Sequence, residues 1–182
     1  MIERLAQFAQ PVLEWPMIRR VRRNHGLEHA TVHILTNHLK GVRMAGRSSE
    51  SGFILLGDLP TDKVEEAVYE ALQRMRNGEH KLAVHPNCGT NLVTSAGLTT
   101  LVALIGLRTS SNRPITERIP MLMTWMMLAV LFSQPLGMSL QEHFTTEGDP
   151  GDLEIINVTR RRLPTLFGSE GLTIHQVTTW SS

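Results

Sequence analysis

Charge is distributed along this chain so unevenly that the distribution limits the possible folds. No Asp, Glu, Lys or Arg occurs between Leu82 and Leu107, nor between Ile119 and Gln141. Charged residues make up 19% of the whole, so they are concentrated in the remaining chain. Ile119 to Met138 has the length of about 20 residues needed to cross the hydrocarbon core of a bilayer. Leu92 to Leu107 is shorter and diluted by Thr and Gly. Two buried helices of a soluble core would give the same pattern, but tracts this long are hard to bury in a chain of 182 residues. The expectation is a two-span transmembrane hairpin, turning through the Arg-containing linker Arg108 to Arg118.

The remaining chain reads as α+β. Met1 to Leu13 has Ile2, Leu5, Phe8 or Ala9, and Val12 at helical spacing, and Trp15-Pro16 interrupts it. Pro16 to Lys40 is the strongest helix, with Pro at its first position and Gly41 just past its end. Ile18, Val21, Val32, Leu35 and Leu39 form its apolar stripe, and His25 and His29 fall inside that stripe. Strands are expected at Gly41–Ala45 and Gly52–Leu56, around the turn-rich Gly46–Ser51. Thr61 reads as the N-cap of a helix that stops near Gly78, and Lys81–Val84 as a short strand. Asp152–Thr159 and Leu172–Thr179 complete a small mixed or antiparallel sheet on either side of the Leu163–Gly171 connection. The division is therefore 1–90, helices plus an α/β segment; 91–140, the hairpin; and 141–182, the closing strands.

The net charge of +1 gives no global field for nucleic acid, and with 5% aromatic residues no base-stacking platform is visible. No nucleic-acid partner is expected. Arg19-Arg20-Val21-Arg22-Arg23 and Arg160-Arg161-Arg162 read as solvated or lipid-headgroup-facing surface. By the positive-inside tendency they place the soluble part in the cytoplasm and the hairpin in the inner membrane. Arg108, Arg113 and Arg118 in the hairpin linker pull the other way. The single Cys88 excludes an intramolecular disulfide, and Met1 to Gln10 lacks the apolar run of a signal peptide.

Chemistry concentrates in two short blocks. In His25-Gly26-Leu27-Glu28-His29 the imidazoles are spaced i, i+4, so both reach one point on the helix flank, with Glu28 beside them. This is H-x-x-E-H, the reverse of the zinc-peptidase H-E-x-x-H. In such sites two neutral imidazoles bind Zn²⁺, and the carboxylate takes a proton from water that the metal acidifies to a pKa of about 7. His33 continues the row. Gly26 costs the helix about 1 kcal/mol relative to Ala, and close approach by another element would explain it. The second block, His85-Pro86-Asn87-Cys88-Gly89-Thr90, can present His85 and Cys88 to one ion. If His25, His29, His85 and Cys88 all bind, the sphere is closed and structural; if one stays out, the site can be catalytic. Cys88 as a nucleophile activated by His85 or His29 is a further possibility. The remaining one is plain polar core packing.

His38 and His80 read as surface residues, and Glu142-His143 as an interfacial helix cap. Met121, Met123, Met126 and Met127 could bind copper or haem iron, but ordinary apolar packing accounts for them better.

The two blocks, followed at once by an apolar span, resemble the YqhQ-like bacterial membrane proteins, described as predicted metal-dependent enzymes. Their pattern looks like H-G-x-E-H and then H-P-x-C-G-T. His25, Glu28, His29, His85 and Cys88 fall at matching positions, and the match extends to about Asn91. The chain is also similar to a smaller group of uncharacterised bacterial proteins that carry an α/β insert between the blocks. The resemblance implies a metal-dependent role and no particular substrate. Taken together, the residues lead to a membrane-anchored zinc hydrolase, of which a peptidase is the most natural form. Lipid is its partner, an unidentified substrate is attacked at the membrane surface, and the oligomeric state is open. The alternatives are a non-catalytic structural metal site and a metal- or haem-handling protein.

Overall fold

The computed structural model describes residues 2–109, 114–163 and 172–182, and the Pro164–Gly171 part of the expected connection lies outside them. Two compact units result. The first comprises residues 1–85 and 142–182, the second residues 86–141.

In the first unit, α1 (Ile2–Leu13) and α2 (Pro16–His38) are followed by β1 (Ala45–Ser49), β2 (Gly52–Leu56) and α3 (Thr61–Arg76). After the second unit come β3 (Glu154–Leu163) and β4 (Leu172–Trp180). The four strands form an antiparallel sheet in the order β1-β2-β4-β3. Phe53 opposite Val177 and Leu55 opposite His175 lie on its inner face. With Leu27, Ala30 and Ile34 of α2 and Val64, Val68 and Met75 of α3, these apolar side chains make the core. A bulge at Ile156 resets the pleat of β3, so that Ile155 and Val158 both turn toward the core although they are an odd number of residues apart.

Several expectations are corrected. β1 is Ala45–Ser49 rather than Gly41–Ala45. Its residues, Ala-Gly-Arg-Ser-Ser, are mostly exposed at a sheet edge and carry no apolar alternation, whereas Val42 and Met44 pack on the core from outside the strand. Lys81–Val84 is not a strand. His80–Ala83 forms a 3₁₀ turn, and its Ala83 carbonyl pairs with His29 of α2 instead of a strand. Pro60, not Thr61, is the N-cap of α3, and the Thr61 hydroxyl pairs with His175 Nε2 at 3.1 Å.

The apolar stripe expected on α2 holds in part: Leu35 is fully buried in the core and Val32 and Leu39 pack against it, whereas the buried face extends further round the helix. At roughly 100° per residue, Leu27, Ala30 and Ile34 lie opposite His25, His29 and His33. Part of the core thus packs on the side of α2 away from the imidazoles. The arginines before them are structural as well as superficial. Arg22 is buried and pairs with Glu147 at 3.1 Å, and Arg23 pairs with Asp152 at 2.6 Å. Asn24, also buried, donates to the Ser49 carbonyl at 2.9 Å and accepts from the Thr179 hydroxyl at 2.6 Å. These bonds fix α2 in register against the sheet.

His175 is fully buried, and among the described residues its Nδ1 has no hydrogen-bond partner. Burial, reinforced by the Arg160 charge and opposed by Asp58, holds its pKa below the usual 6.5. The fold therefore favours the neutral ring, while the unfolded chain takes up a proton near pH 6.5. Stability from this residue is complete above that pH and is lost as the pH falls below it. Thermal unfolding at about pH 5 and about pH 7.5 should show a lower midpoint in acid, and His175→Gln should narrow the gap.

In the second unit, α4 (Gly89–Thr109) packs along α5 (Ile115–Leu140). The contact uses small and polar groups: Gly106 beside Leu122, Gly137 beside Asn91, and Ser95 paired with Ser133 at 2.8 Å. Outward lie Leu92, Leu104, Ile105, Leu131 and Phe132, together with Met121, Met123 and Met127. Hydroxyls within α4 and α5 bond back to the preceding turn, as Thr94 does to the Thr90 carbonyl at 2.7 Å and Thr124 to that of Pro120 at 3.0 Å. That internal pairing removes most of the polarity that Thr seemed to add. The helix from Gly89 to Thr109 has 21 residues and that from Ile115 to Thr145 has 31, each with a mean hydropathy of 1.5 over its most apolar window. Both are long and apolar enough to cross a membrane.

Candidate metal centre

The imidazoles on the outer side of α2 are held by backbone carbonyls. His25 Nδ1 lies 2.9 Å from the Thr145 carbonyl and His29 Nδ1 2.7 Å from that of Ala83. A carbonyl only accepts, so each Nδ1 carries the hydrogen and the lone pair of each neutral ring resides on Nε2. His33 is held the other way round, with Nε2 donating to the Val84 carbonyl at 2.9 Å. The His25 and His29 rings meet edge to face with centroids 4.4 Å apart. His85 packs edge-on to His33 at 4.7 Å and lies 5.9 Å from His29. Burial, followed by the neighbouring His33 and His29, pulls the His85 pKa down to about 4, so its ring is neutral at pH 7.

Local folding explains these positions. At Gly26 the Ala83 side chain and the Glu147 backbone come so close that a Cβ there would overlap the Glu147 carbonyl oxygen. This is the close approach that the glycine suggested. It lets the 3₁₀ turn and the Thr145–Glu147 segment lie directly on α2. A rare π turn over Gln141–Thr145 aims the Thr145 carbonyl. Arg22 secures the same segment through Glu147 and the Thr146 carbonyl. Within this unit a cleft of about 210 Å³ is lined by His80, Ala83, Val84, Glu142, Thr146 and Glu147, among others. Glu142 thus borders the cleft. His38 and His80 are exposed, as expected.

Glu28 is buried on the flank of α2 that faces β1, where its carboxylate accepts a hydrogen bond from the Ser48 hydroxyl. Gly46 leaves room for it, since a Cβ there would strike the carboxylate. Burial pushes the Glu28 carboxyl above its usual range, and the Ser48 bond and the His25 charge pull it partly back. Cys88 belongs to the second unit, where its sulfur accepts the Thr90 N–H at 3.4 Å. It follows His85 by three residues, which holds the two Cα atoms within about 11 Å by chain length alone.

Sequence reading thus located the imidazoles and Glu28 but missed Ser48, Gly46, Arg22 and the carbonyls of Thr145 and Ala83. The turn-rich composition of Gly46–Ser51 concealed a strand, and backbone acceptors leave no signature in side-chain identity.

The first unit is a helix-covered antiparallel sheet with a histidine row on its long helix, and the second is a pair of apolar helices. The chain belongs to the family described as a domain of unknown function (DUF6391), which matches residues 20–158. It is 33% identical over 135 residues to an uncharacterised protein of the bacterium Picosynechococcus sp., a match covering 69% of this chain and 65% of the relative. No solved structure matches.

Proposed function

We propose that this protein is a membrane-anchored, metal-dependent hydrolase in which His25, His29 and His85 hold Zn²⁺ and Glu28 is the general base. One observation carries the reading. Two imidazoles spaced i, i+4 are both fixed by carbonyls in the tautomer that puts the lone pair on Nε2. Ligating histidines are oriented by just this kind of outer hydrogen bond. A third neutral ring stands beside them, and a thiol follows it by three residues; nitrogen and sulfur donors of this kind suit Zn²⁺. A zinc ion held there would supply Lewis-acid activation of water. Glu28 contributes the proton acceptor. A buried carboxylate with a raised pKa is better matched to proton transfer near neutral pH than an exposed one. Ser48 would hold it in one orientation until substrate arrives.

The resemblance of both blocks to the YqhQ-like proteins supports a metal-dependent role. α4 and α5 would cross the cytoplasmic membrane as a hairpin, with the Arg-bearing first unit on the cytoplasmic side. Peptides or lipid-linked esters and amides at the membrane surface are the substrate classes this chemistry suits.

A second reading has support in Cys88. If it joins the three imidazoles, four donors close the sphere and the metal becomes a structural clamp. Elemental analysis of the purified full chain, together with hydrolysis of a quenched-fluorescent peptide library, separates the two. Zinc should be present in the wild type and lost in His29→Ala. Glu28→Gln should keep its zinc and lose hydrolysis by roughly 10²–10⁴-fold. Undiminished hydrolysis in Glu28→Gln removes the general base. A zinc-bearing protein that hydrolyses nothing, and unfolds when stripped of metal, supports the clamp instead. A protein without zinc overturns both.

A further inference from the structure

The first helix carries an apolar row that the described fold leaves uncovered. At roughly 100° per residue, α1 divides into three sectors. Ile2, Ala6, Ala9 and Leu13 share one line and are half-buried. Glu3, Gln7, Gln10 and Glu14 form an exposed polar sector. Leu5, Phe8 and Val12 form the third sector and are exposed, Phe8 to 89%, and Trp15, two residues past the end of α1, is exposed to 65%. Arg4 borders this sector near the start of α1, and Trp15 follows the helix end.

Three features favour lipid as the occupant of this row. It is a single line of side chains, narrow for a stable protein interface. Trp and Arg at its edge are residue types that settle at headgroup level, with apolar bodies inward and polar tips in water. The unit carrying α1 joins the unit of α4 and α5 directly at His85–Pro86 and at Gln141–Glu142. Insertion of α4 and α5 would thus tether the first unit to the bilayer and raise the effective concentration of α1 there, so that weak intrinsic affinity suffices.

We infer that α1 lies in the plane of the membrane interface, with Leu5, Phe8, Val12 and Trp15 inserted among the upper acyl chains as an anchor additional to the spanning helices. The inference rests on the membrane reading of α4 and α5 given above. Because α2 starts at Pro16, three residues after Leu13 ends α1, such an anchor sets the depth of the histidine-bearing helix relative to a membrane-bound substrate.

The test uses the full chain in vesicles of phosphatidylcholine with a minority of phosphatidylglycerol, doped with brominated phosphatidylcholines. Trp125→Phe combined with Trp180→Phe leaves Trp15 as the reporter. Trp15→Phe combined with Trp180→Phe leaves Trp125, which lies within α5. Trp15 should lose most fluorescence to bromines near the headgroup end of the acyl chain, and Trp125 to deeper ones. Adding Phe8→Glu, at an exposed position, should weaken the quenching of Trp15. If Trp125 is quenched while Trp15 responds only to aqueous acrylamide, the anchor is refuted and the spans stand. Shielding of Trp15 from both quenchers would mean that protein covers the row, which also refutes it. If Trp125 escapes the brominated lipids, the membrane reading itself fails.

Discussion

Gly26→Ala is expected to loosen the proposed metal site, although alanine is the better helix former. Propensity alone would favour the substitution by about 1 kcal/mol. The added methyl, however, meets the Glu147 carbonyl oxygen and the Ala83 side chain. Both neighbours are constrained. Ala83 belongs to the turn whose carbonyl holds His29, and the Glu147 N–H donates to the Arg22 carbonyl at 3.0 Å. Relief requires moving backbone, and such overpacking costs about 1–3 kcal/mol. Displacing Ala83 releases His29 from its tautomer, and shifting Glu147 drags the neighbouring Thr145 carbonyl that holds His25. At the proposed zinc site, loss of such outer partners would weaken binding by about 10–100-fold. Zinc titration together with thermal unfolding in detergent checks both effects. A variant as stable and as tightly loaded as the wild type would show that the close approach does not govern the site.

Arg22→Ala should produce the largest loss of stability of any single change outside the core. The arginine is buried, its guanidinium lies 3.1 Å from the Glu147 carboxylate, and it also donates to the Thr146 carbonyl at 3.2 Å. Removing one partner of a buried pair costs about 3–5 kcal/mol. The Glu147 side chain retains 29% exposure, so hydration offsets part of that, and a loss of about 2–3 kcal/mol is expected. The segment set loose contains Thr145, the partner of His25, so zinc affinity at the proposed site should fall with stability. Arg20→Ala provides the contrast. It belongs to the same basic run but has no ion pair among the described residues, and its midpoint should stay close to that of the wild type. Equal losses in the two variants would show that the run acts as general positive charge rather than through one buried contact.

The same arginine shows where sequence reading stops. Four arginines around Val21 look alike in one dimension, and headgroup contact or solvation was the sensible expectation. Only the return of the chain at Thr146 and Glu147, more than a hundred residues later, distinguishes Arg22 from its neighbours. The histidine row illustrates the opposite case. Spacing of i, i+4 fixes two imidazoles on one helix flank by helical geometry alone, and that needed no tertiary information. The side of α2 that faces the core was legible only in part: Leu35 of the expected stripe is fully buried, and Val32 and Leu39 pack against the core. The extension of the buried face to Leu27, Ala30 and Ile34, beyond the stripe of Ile18, Val21, Val32, Leu35 and Leu39, was decided by where α3 and the sheet pack. β1 was displaced for a related reason. A polar edge strand has no alternation of its own and takes its register from β2.

The sequence by itself determined the elements whose causes are local. These are the long helix between Pro16 and Gly41, the two apolar helices, the presence of two closing strands, and a pair of imidazoles one turn apart beside a carboxylate. Tertiary structure decided everything that depends on distant backbone. It chose which ring nitrogen carries hydrogen, which arginine is buried, why Gly26 and Gly46 must lack side chains, and that Glu28 is held by Ser48. The reason is physical. Periodicity and capping act within a few residues, whereas a carbonyl that orients an imidazole can come from any part of the chain and leaves no mark on residue identity.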